Sequence, residues 1–327
     1  MSKLSHKSLM LRSCYLYYIE GIDIQEIARR LDISRFKVSR YISEAREKGL
    51  ITLQINDPDI GFESQAIRLE QAFKLTRVII APLTAGASLE ETRQAIGKAG
   101  AVLFQDLDEE THLAITWGKT MAYLVEDIPA QSGRIKNIVE LAGSIGTITE
   151  SISAHTVSLT AAEKLKAVCV QIPAPIIVDQ PETAQLLMKQ NVIKQAVSMA
   201  AGCQIAICGV GPIEPFNSTL HRAGYLAEAE MAYLAEQGAL GSLFGRFINR
   251  DGAECNTEFK DKVIALSLEQ YKSIPERIIV AGGPNKIDIL YALVNNGVIT
   301  GLVTDSETAA ALLQRKLAEE QTLKHDR

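Results

Sequence analysis

From residue 77 onward the sequence alternates short β-rich apolar runs with amphipathic helical stretches, and this rhythm leaves few folds open. It is the pattern of a parallel sheet wrapped by helices, because parallel neighbours need a crossover element between them. The expected strands are Arg77–Ala81, His112–Trp117, Asn137–Leu141, Val168–Ile172, Gln204–Gly209, Arg277–Ala281 and Val298–Thr304. The expected helices are Ser88–Leu107, Thr120–Ile128, Ser151–Leu165, Glu182–Ala200 and Lys286–Asn295. A last helix, Ser306–Glu320, runs into a polar tail prone to fraying. No internal repeat or low-complexity tract interrupts the series. The fold class expected for residues 77–327 is α/β with a mainly parallel sheet.

The first 56 residues follow a different, helical period. Asp23 is placed to cap a helix Ile24–Leu31, with Glu26 three residues on as a capping box requires. Ile24, Ile27, Ala28 and Leu31 then share one face. After Asp32-Ile33, Ser34 caps a second helix, Arg35 to about Lys48, which Gly49 closes. Val38, Ile42 and Ala45 form its apolar face; Arg35, Lys37, Ser39, Arg40 and Tyr41 fall opposite. An earlier helix, roughly Ser8–Glu20, ends at Gly21 and completes a three-helix unit. Leu50–Ile55 alternates at period two, like the strand of a small wing.

This arrangement has the shape of a helix-turn-helix. The second helix fits the major groove with its N-terminal turns toward base edges, and the first braces it across the backbone. Arginine and lysine at its start reach guanine edges or phosphates, and serine hydroxyls donate to phosphates. The candidate DNA-binding residues are Ser34, Arg35, Phe36, Lys37, Ser39 and Arg40. A generic helical hairpin with a solvated basic face is the plain alternative. The caps, the small crossing residue Ala28 and the basic second helix together favour DNA. Charge agrees: residues 1–56 hold ten Lys/Arg against six acids, a net +4 within an overall −5, so the remainder is acidic.

A turn-rich segment, Asn56–Gly61, marks a linker. Phe62–Leu75 then reads as a connecting helix with Ile67, Leu69, Ala72 and Phe73 on its apolar side. Such helices support dimerisation, and a helix-turn-helix works as a symmetric dimer on two half-sites. The expected organisation is a DNA-binding domain at 1–56, a connector at 57–76 and a sensing and oligomerisation domain at 77–327.

Ligand chemistry in such a sheet lies where strands end and helices begin, since helix N-termini and free backbone donors collect there. Four junctions carry residues suited to an anion. In Trp117-Gly118-Lys119-Thr120, Gly118 allows close backbone approach, Lys119 supplies charge and Thr120 a hydroxyl. Gly-Lys-Thr also ends a nucleotide-binding P-loop, but that loop needs a glycine at position 113, which is Leu113. In Gly282-Gly283-Pro284-Asn285-Lys286 a cation stands at a helix start, where the helix dipole prefers an acid. Gly209-Val210-Gly211 and Thr304-Asp305-Ser306-Glu307-Thr308 are the other two, and Asp305 or Ser306 in the last is equally an N-cap. Each glycine pair alone is more often a turn; their joint occurrence at successive strand ends points to a phosphate pocket.

Composition excludes several classes. The apolar fraction of 47% and charged fraction of 22% belong to a soluble globular protein. No apolar run approaches the roughly 18 residues of a membrane span. Leu9–Ile19 resembles a signal peptide only until Arg12 interrupts it, and no small-residue cleavage site follows. The five cysteines and five histidines are dispersed without ligand spacing, so core thiols in a reducing cytoplasm are expected, with no metal and no cofactor.

The stretch Ile24-Gln25-Glu26-Ile27-Ala28-Arg29-Arg30-Leu31 followed by Ser34-Arg35-Phe36-Lys37-Val38-Ser39-Arg40 resembles the DNA-binding head of the SorC family of bacterial regulators. The resemblance continues through Trp117–Thr120, Ile172-Pro173-Ala174-Pro175, Gly209–Gly211, Ala281–Lys286 and Leu302-Val303-Thr304-Asp305, and so covers nearly the whole chain. It implies a sugar-binding domain related in fold to glucosamine-6-phosphate deaminase and ribose-5-phosphate isomerase. It further implies a dimeric or tetrameric regulator of carbohydrate or polyol catabolism that answers to a phosphorylated sugar. By that resemblance Gly118, Lys119 and Thr120 hold the phosphate with Lys286 and its preceding loop, including Asn285. Gly143, Ser144, Gly209 and Gly211 line the sugar. Relatives commonly carry Gly-Asp where this chain has Gly241-Ser242, so Ser242 offers hydrogen bonds without charge. They also often carry Phe-Asp near Phe247-Ile248-Asn249, which points to a different effector. The rival reading is a sugar-phosphate isomerase or deaminase using Asp305, Glu214 or His221, though no base stands fixed beside a nucleophile and the helix-turn-helix would have no use.

Overall fold

Two side-chain caps organise the N-terminal unit. Asp23 Oδ1 accepts from the backbone N–H of Gln25 and Glu26, both at 2.9 Å, and starts helix α2. Ser34 accepts from Lys37 N at 3.3 Å and starts α3. The helices are α1 (His6–Tyr18), α2 (Ile24–Leu31) and α3 (Arg35–Glu47). Met10, Cys14, Ile27, Val38, Tyr41, Ile42 and Ala45 pack between them as a separate small core. The computed structural model describes residues 5–53, 55–57, 59–84, 86–130, 132–146 and 154–325. The chain divides into two units, Met1–Ile60 and Gly61–Arg327.

Three expectations for the first unit change. Tyr41 is buried, edge-on to His6 with ring centroids 4.9 Å apart, and is a core residue, not part of the polar face. Glu26 does not close a capping box; its carboxylate pairs with Arg29 and Arg30 one turn on. Among the described residues of 50–55 no strand forms: Leu50, Leu53 and Ile55 are exposed, and only Ile51 packs against the helices. A wing needs a second strand to pair with, and the segment supplies a single run.

The second unit opens with α4 (Ile60–Phe73), which buries Ala66, Leu69 and Phe73 and leaves Ile67 exposed. Then come β1 (Arg77–Ala81), α5 (Leu89–Gly100), β2 (His112–Ile115), α6 (Lys119–Glu126), β3 (Asn137–Glu140), α7 (Ala154–Lys164) and β4 (Val168–Val170). After these follow α8 (Pro181–Met188), α9 (Asn191–Ala201), β5 (Ile205–Cys208), β6 (Val210–Pro212), α10 (Thr219–Arg222) and α11 (Glu228–Glu236). The chain closes with β7 (Gly241–Leu243), β8 (Arg246–Ile248), α12 (Leu268–Lys272), β9 (Glu276–Val280), α13 (Ile287–Asn295), β10 (Gly301–Asp305) and α14 (Ser306–His325).

Seven strands pair in parallel in the order β1-β10-β9-β5-β2-β3-β4. Successive residues of one strand enter opposite cores, as the two-residue period demands. Leu113 and Ile115 join α5, α6 and α7 on one face, while Ala114 joins the cluster on the other. Both faces being covered, the middles of the strands are mostly apolar, with polar side chains such as Asn137, Glu140 and Asp305 at strand ends. A small antiparallel sheet, β6-β7-β8, stands beside the main one. The expected single helix Glu182–Ala200 is two: α8 packs on the turn Glu258–Lys262 and α9 on β3. Each follows its own surface, so the chain breaks at Lys189-Gln190 without glycine or proline. The expected start of α7 at 151–153 lies outside the described residues.

Candidate functional site

The sheet order reverses between β2 and β5. The chain steps outward from β2 through β3 and β4, then returns to place β5 on β2's other side. Crevices open at the carboxyl ends of strands at such a point. One does here: a cleft of about 290 Å³, at the small end of ligand pockets. Thr116 sets its floor, its Oγ1 accepting from Gly209 N at 3.1 Å and tying the end of β2 to the end of β5.

From the β2–α6 turn come Trp117, Gly118, Lys119 and Thr120. Gly118 holds φ +136, which a side chain rarely adopts, and α6 begins there with no side-chain cap and no acid in its first turn. The uncapped N–H groups and the positive end of the helix suit an anion. Gly209 comes from the link after β5, Gly211 from β6, and Ser242 reaches in from β7. From the turn after β9 comes Lys286, only 8% exposed.

That last turn is clasped from below. Asp305, at the end of β10, accepts from Gly283 N at 3.1 Å, from Thr308 N at 2.7 Å and from the Thr308 hydroxyl at 2.7 Å. Thr308 Oγ1 in turn accepts from Gly283 N at 2.8 Å. A Cβ on Gly282 would fall 2.0 Å from Asp305 Oδ2, so only glycine fits. Burial pushes the Lys286 ammonium down to about 8; the Arg93 charge adds to that and Asp305 opposes it.

Of the ten expected effector residues, Gly118, Lys119, Thr120, Gly209, Gly211, Ser242 and Lys286 line this one cleft. Gly143, Ser144 and Asn285 do not. Gly143 N donates to Ile264 O and Ser144 N to Ala174 O, both at 2.8 Å, so this pair stitches the β3 end to neighbouring loops. Asn285, beside Lys286, buries an amide nitrogen with no partner among the described residues. Sequence reasoning missed Arg93 of α5, which pairs with Glu90 at 2.9 Å, and Arg222 of α10. It also missed Phe216, Asn217 and Thr219. Arg93 carries no local signal, since three residues from Glu90 it reads as an ordinary helix-surface pair. Asp305 is consumed by its clasp, and neither Glu214 nor His221 lines the cleft; His221 Nδ1 lies 2.8 Å from Leu226 O. Among the described residues, four cationic side chains and no carboxylate line the cleft.

In the first unit, Ser34, Arg35, Phe36, Lys37, Ser39 and Arg40 are all exposed along the start of α3, opposite its buried face. Among the described residues no group of three or more His, Cys, Asp or Glu is placed to hold a metal ion. No described helix is long and apolar enough to cross a membrane.

A doubly covered parallel sheet with a cationic cleft at its switch point, preceded in the chain by a separate three-helix unit, is the architecture of a two-domain transcriptional regulator with a sugar-binding domain. The comparisons give the family. The sugar-binding-domain family matches residues 62–314. The transcriptional regulator LsrR of Escherichia coli (strain K12) is 32% identical over 311 residues, covering 93% of each chain. The deoxyribonucleoside regulator of Bacillus subtilis is 26% identical, covering 94% of this chain and 97% of its own. Among solved structures, the full-length sorbitol operon regulator SorC from Klebsiella pneumoniae superposes with a TM-score of 0.72 at 26% identity. That match covers 95% of this chain and 99% of SorC. The chain belongs to the sugar-binding-domain family of SorC-type bacterial transcriptional regulators.

Proposed function

We propose that this protein controls a carbohydrate or polyol catabolic operon by binding operator DNA under the command of a phosphorylated sugar or polyol. The observation that carries the reading is the cleft's charge: Arg93, Lys119, Arg222 and Lys286 with no acid among the described lining residues, beside an uncapped helix start. A neutral sugar gains far less from four cations than a phosphoryl group, which carries charge on both sides of each hydrogen bond. Gly118, Lys119, Thr120 and Lys286 grip the phosphate, while Gly209, Gly211 and Ser242 meet the hydroxyls. Residues 1–56 bind DNA through Ser34, Arg35, Phe36, Lys37, Ser39 and Arg40, residues 57–76 connect, and residues 77–327 sense and oligomerise. The protein acts in the cytoplasm as a homo-dimer or homo-tetramer and catalyses no reaction on its effector. The effector works by favouring one arrangement of the paired heads over another, which requires unequal affinity for the two.

Trp117 is the sole tryptophan and lines the cleft, so its fluorescence reports occupancy. Titrating a panel of sugar phosphates and their unphosphorylated parents should change it only with the phosphorylated members. Equal responses to both sets would remove the phosphate from the proposal.

A further inference from the structure

Phe36 is a costly residue where it stands. It is 74% exposed on the second position of α3, and the small core of the first unit closes without it. Val38, Tyr41, Ile42 and Ala45 define the buried face of α3, and Phe36 points away from that face among Arg35, Lys37, Ser39 and Arg40. Among the described residues its ring partner is the Arg35 guanidinium, whose central carbon lies 5.2 Å from the ring centroid. A benzyl group neither donates nor accepts a conventional hydrogen bond. It cannot read the polar code of a base edge. The major groove presents one apolar group, the C5-methyl of thymine.

We propose that Phe36 is a specificity-determining residue whose ring packs on a thymine methyl in each half-site, with Arg35 held against the ring to reach the adjacent base or phosphate. The inference rests on the reading that the first unit binds operator DNA, and it names the chemistry by which one position is chosen. Burying a methyl on an aromatic ring carries a several-fold preference for thymine over cytosine or uracil there. The contact adds no charge, so it leaves the salt dependence to Lys37, Arg40 and the other cations.

The test uses the full chain and a duplex selected by it from a random-sequence library. Each dT of that duplex is replaced in turn by dU, which removes the methyl and nothing else. Wild-type protein should lose about three- to tenfold in affinity at one thymine per half-site. The Phe36→Ala protein should bind the dT and dU duplexes equally, with the wild-type salt slope. Indifference of the wild type to every dU substitution, or a penalty retained by Phe36→Ala, overturns the proposal. So does a selected duplex without thymine in its half-sites. Absence of any salt-sensitive affinity is a different failure: it removes DNA binding by the first unit, and Phe36's role with it. Because Phe36 lies outside the core, the variant should keep the wild-type helical signal and melting curve; the dU series on wild type stands even if it does not.

Discussion

Lys286 shows how one side chain can carry both cost and purpose. Its ammonium is buried beside Arg93, and its proton affinity falls from the ordinary 10.5 to about 8. In the empty protein that charge is a burden, fully present below about pH 8 and relieved as the pH rises toward 10.5. An anion in the cleft reverses the sign, because it favours the charged form. Binding near pH 8 should therefore take up a proton, and affinity for a sugar phosphate should fall between about pH 7 and about pH 9.5. Lys286→Met should bind about 10- to 100-fold more weakly at pH 7, the worth of one charge-assisted hydrogen bond, and lose that slope. Tryptophan fluorescence titrations at several pH values measure both. The turn that presents Lys286 depends on Asp305, whose carboxylate accepts three hydrogen bonds with 1% of the residue exposed. Asp305→Ala strands the two Thr308 donors and leaves Gly283 N with Thr308 Oγ1 alone, so it should lower stability by about 1–3 kcal/mol and weaken the ligand as well. Denaturant unfolding and the same titration test the pair.

Among elements, α3 is the one whose start matters most, since its first turn carries the proposed DNA face. Ser34→Ala removes the side-chain acceptor for Lys37 N and should cost the first unit about 1 kcal/mol, read as an earlier thermal transition. Elements of this kind were legible beforehand because caps and periods are local. So were the seven parallel strands, most of them dense, buried apolar runs, with edge strand β4 the least covered. The three strands of the small sheet were not, being three residues each and too short to show alternation. Their hairpin turns at Phe244-Gly245, with Phe244 at φ +39, where Asn-Gly would have announced it. Tyr41 was misplaced by residue type: it stands three residues from Val38 and four from Ala45, which is core spacing. The site divided the same way. Its strand-to-helix turns could be seen as glycine followed by cation, while Arg93 and Arg222 arrive from elements that only the tertiary fold brings near.

For the whole molecule, the first strand of the body has its sole sheet neighbour among the last residues. β1 pairs with β10 from Arg77↔Gly301 to Ala81↔Asp305, and Thr76 Oγ1 donates to Thr300 O across 224 positions. On the ribosome that gap lasts roughly 10 to 45 s at about 5–20 residues per second. Throughout it β1 has no strand to pair with, while every residue of the head's own core has already been made. A polypeptide stopped short of residue 300 lacks β10 and α14 and should remain protease-sensitive beyond Gly61, with the leading sixty residues surviving as a resistant fragment. Limited digestion followed by mass measurement shows whether it does. Synthesis thus delivers the three-helix unit before the domain that follows it, and under the proposed function premature termination leaves a DNA reader without its governor.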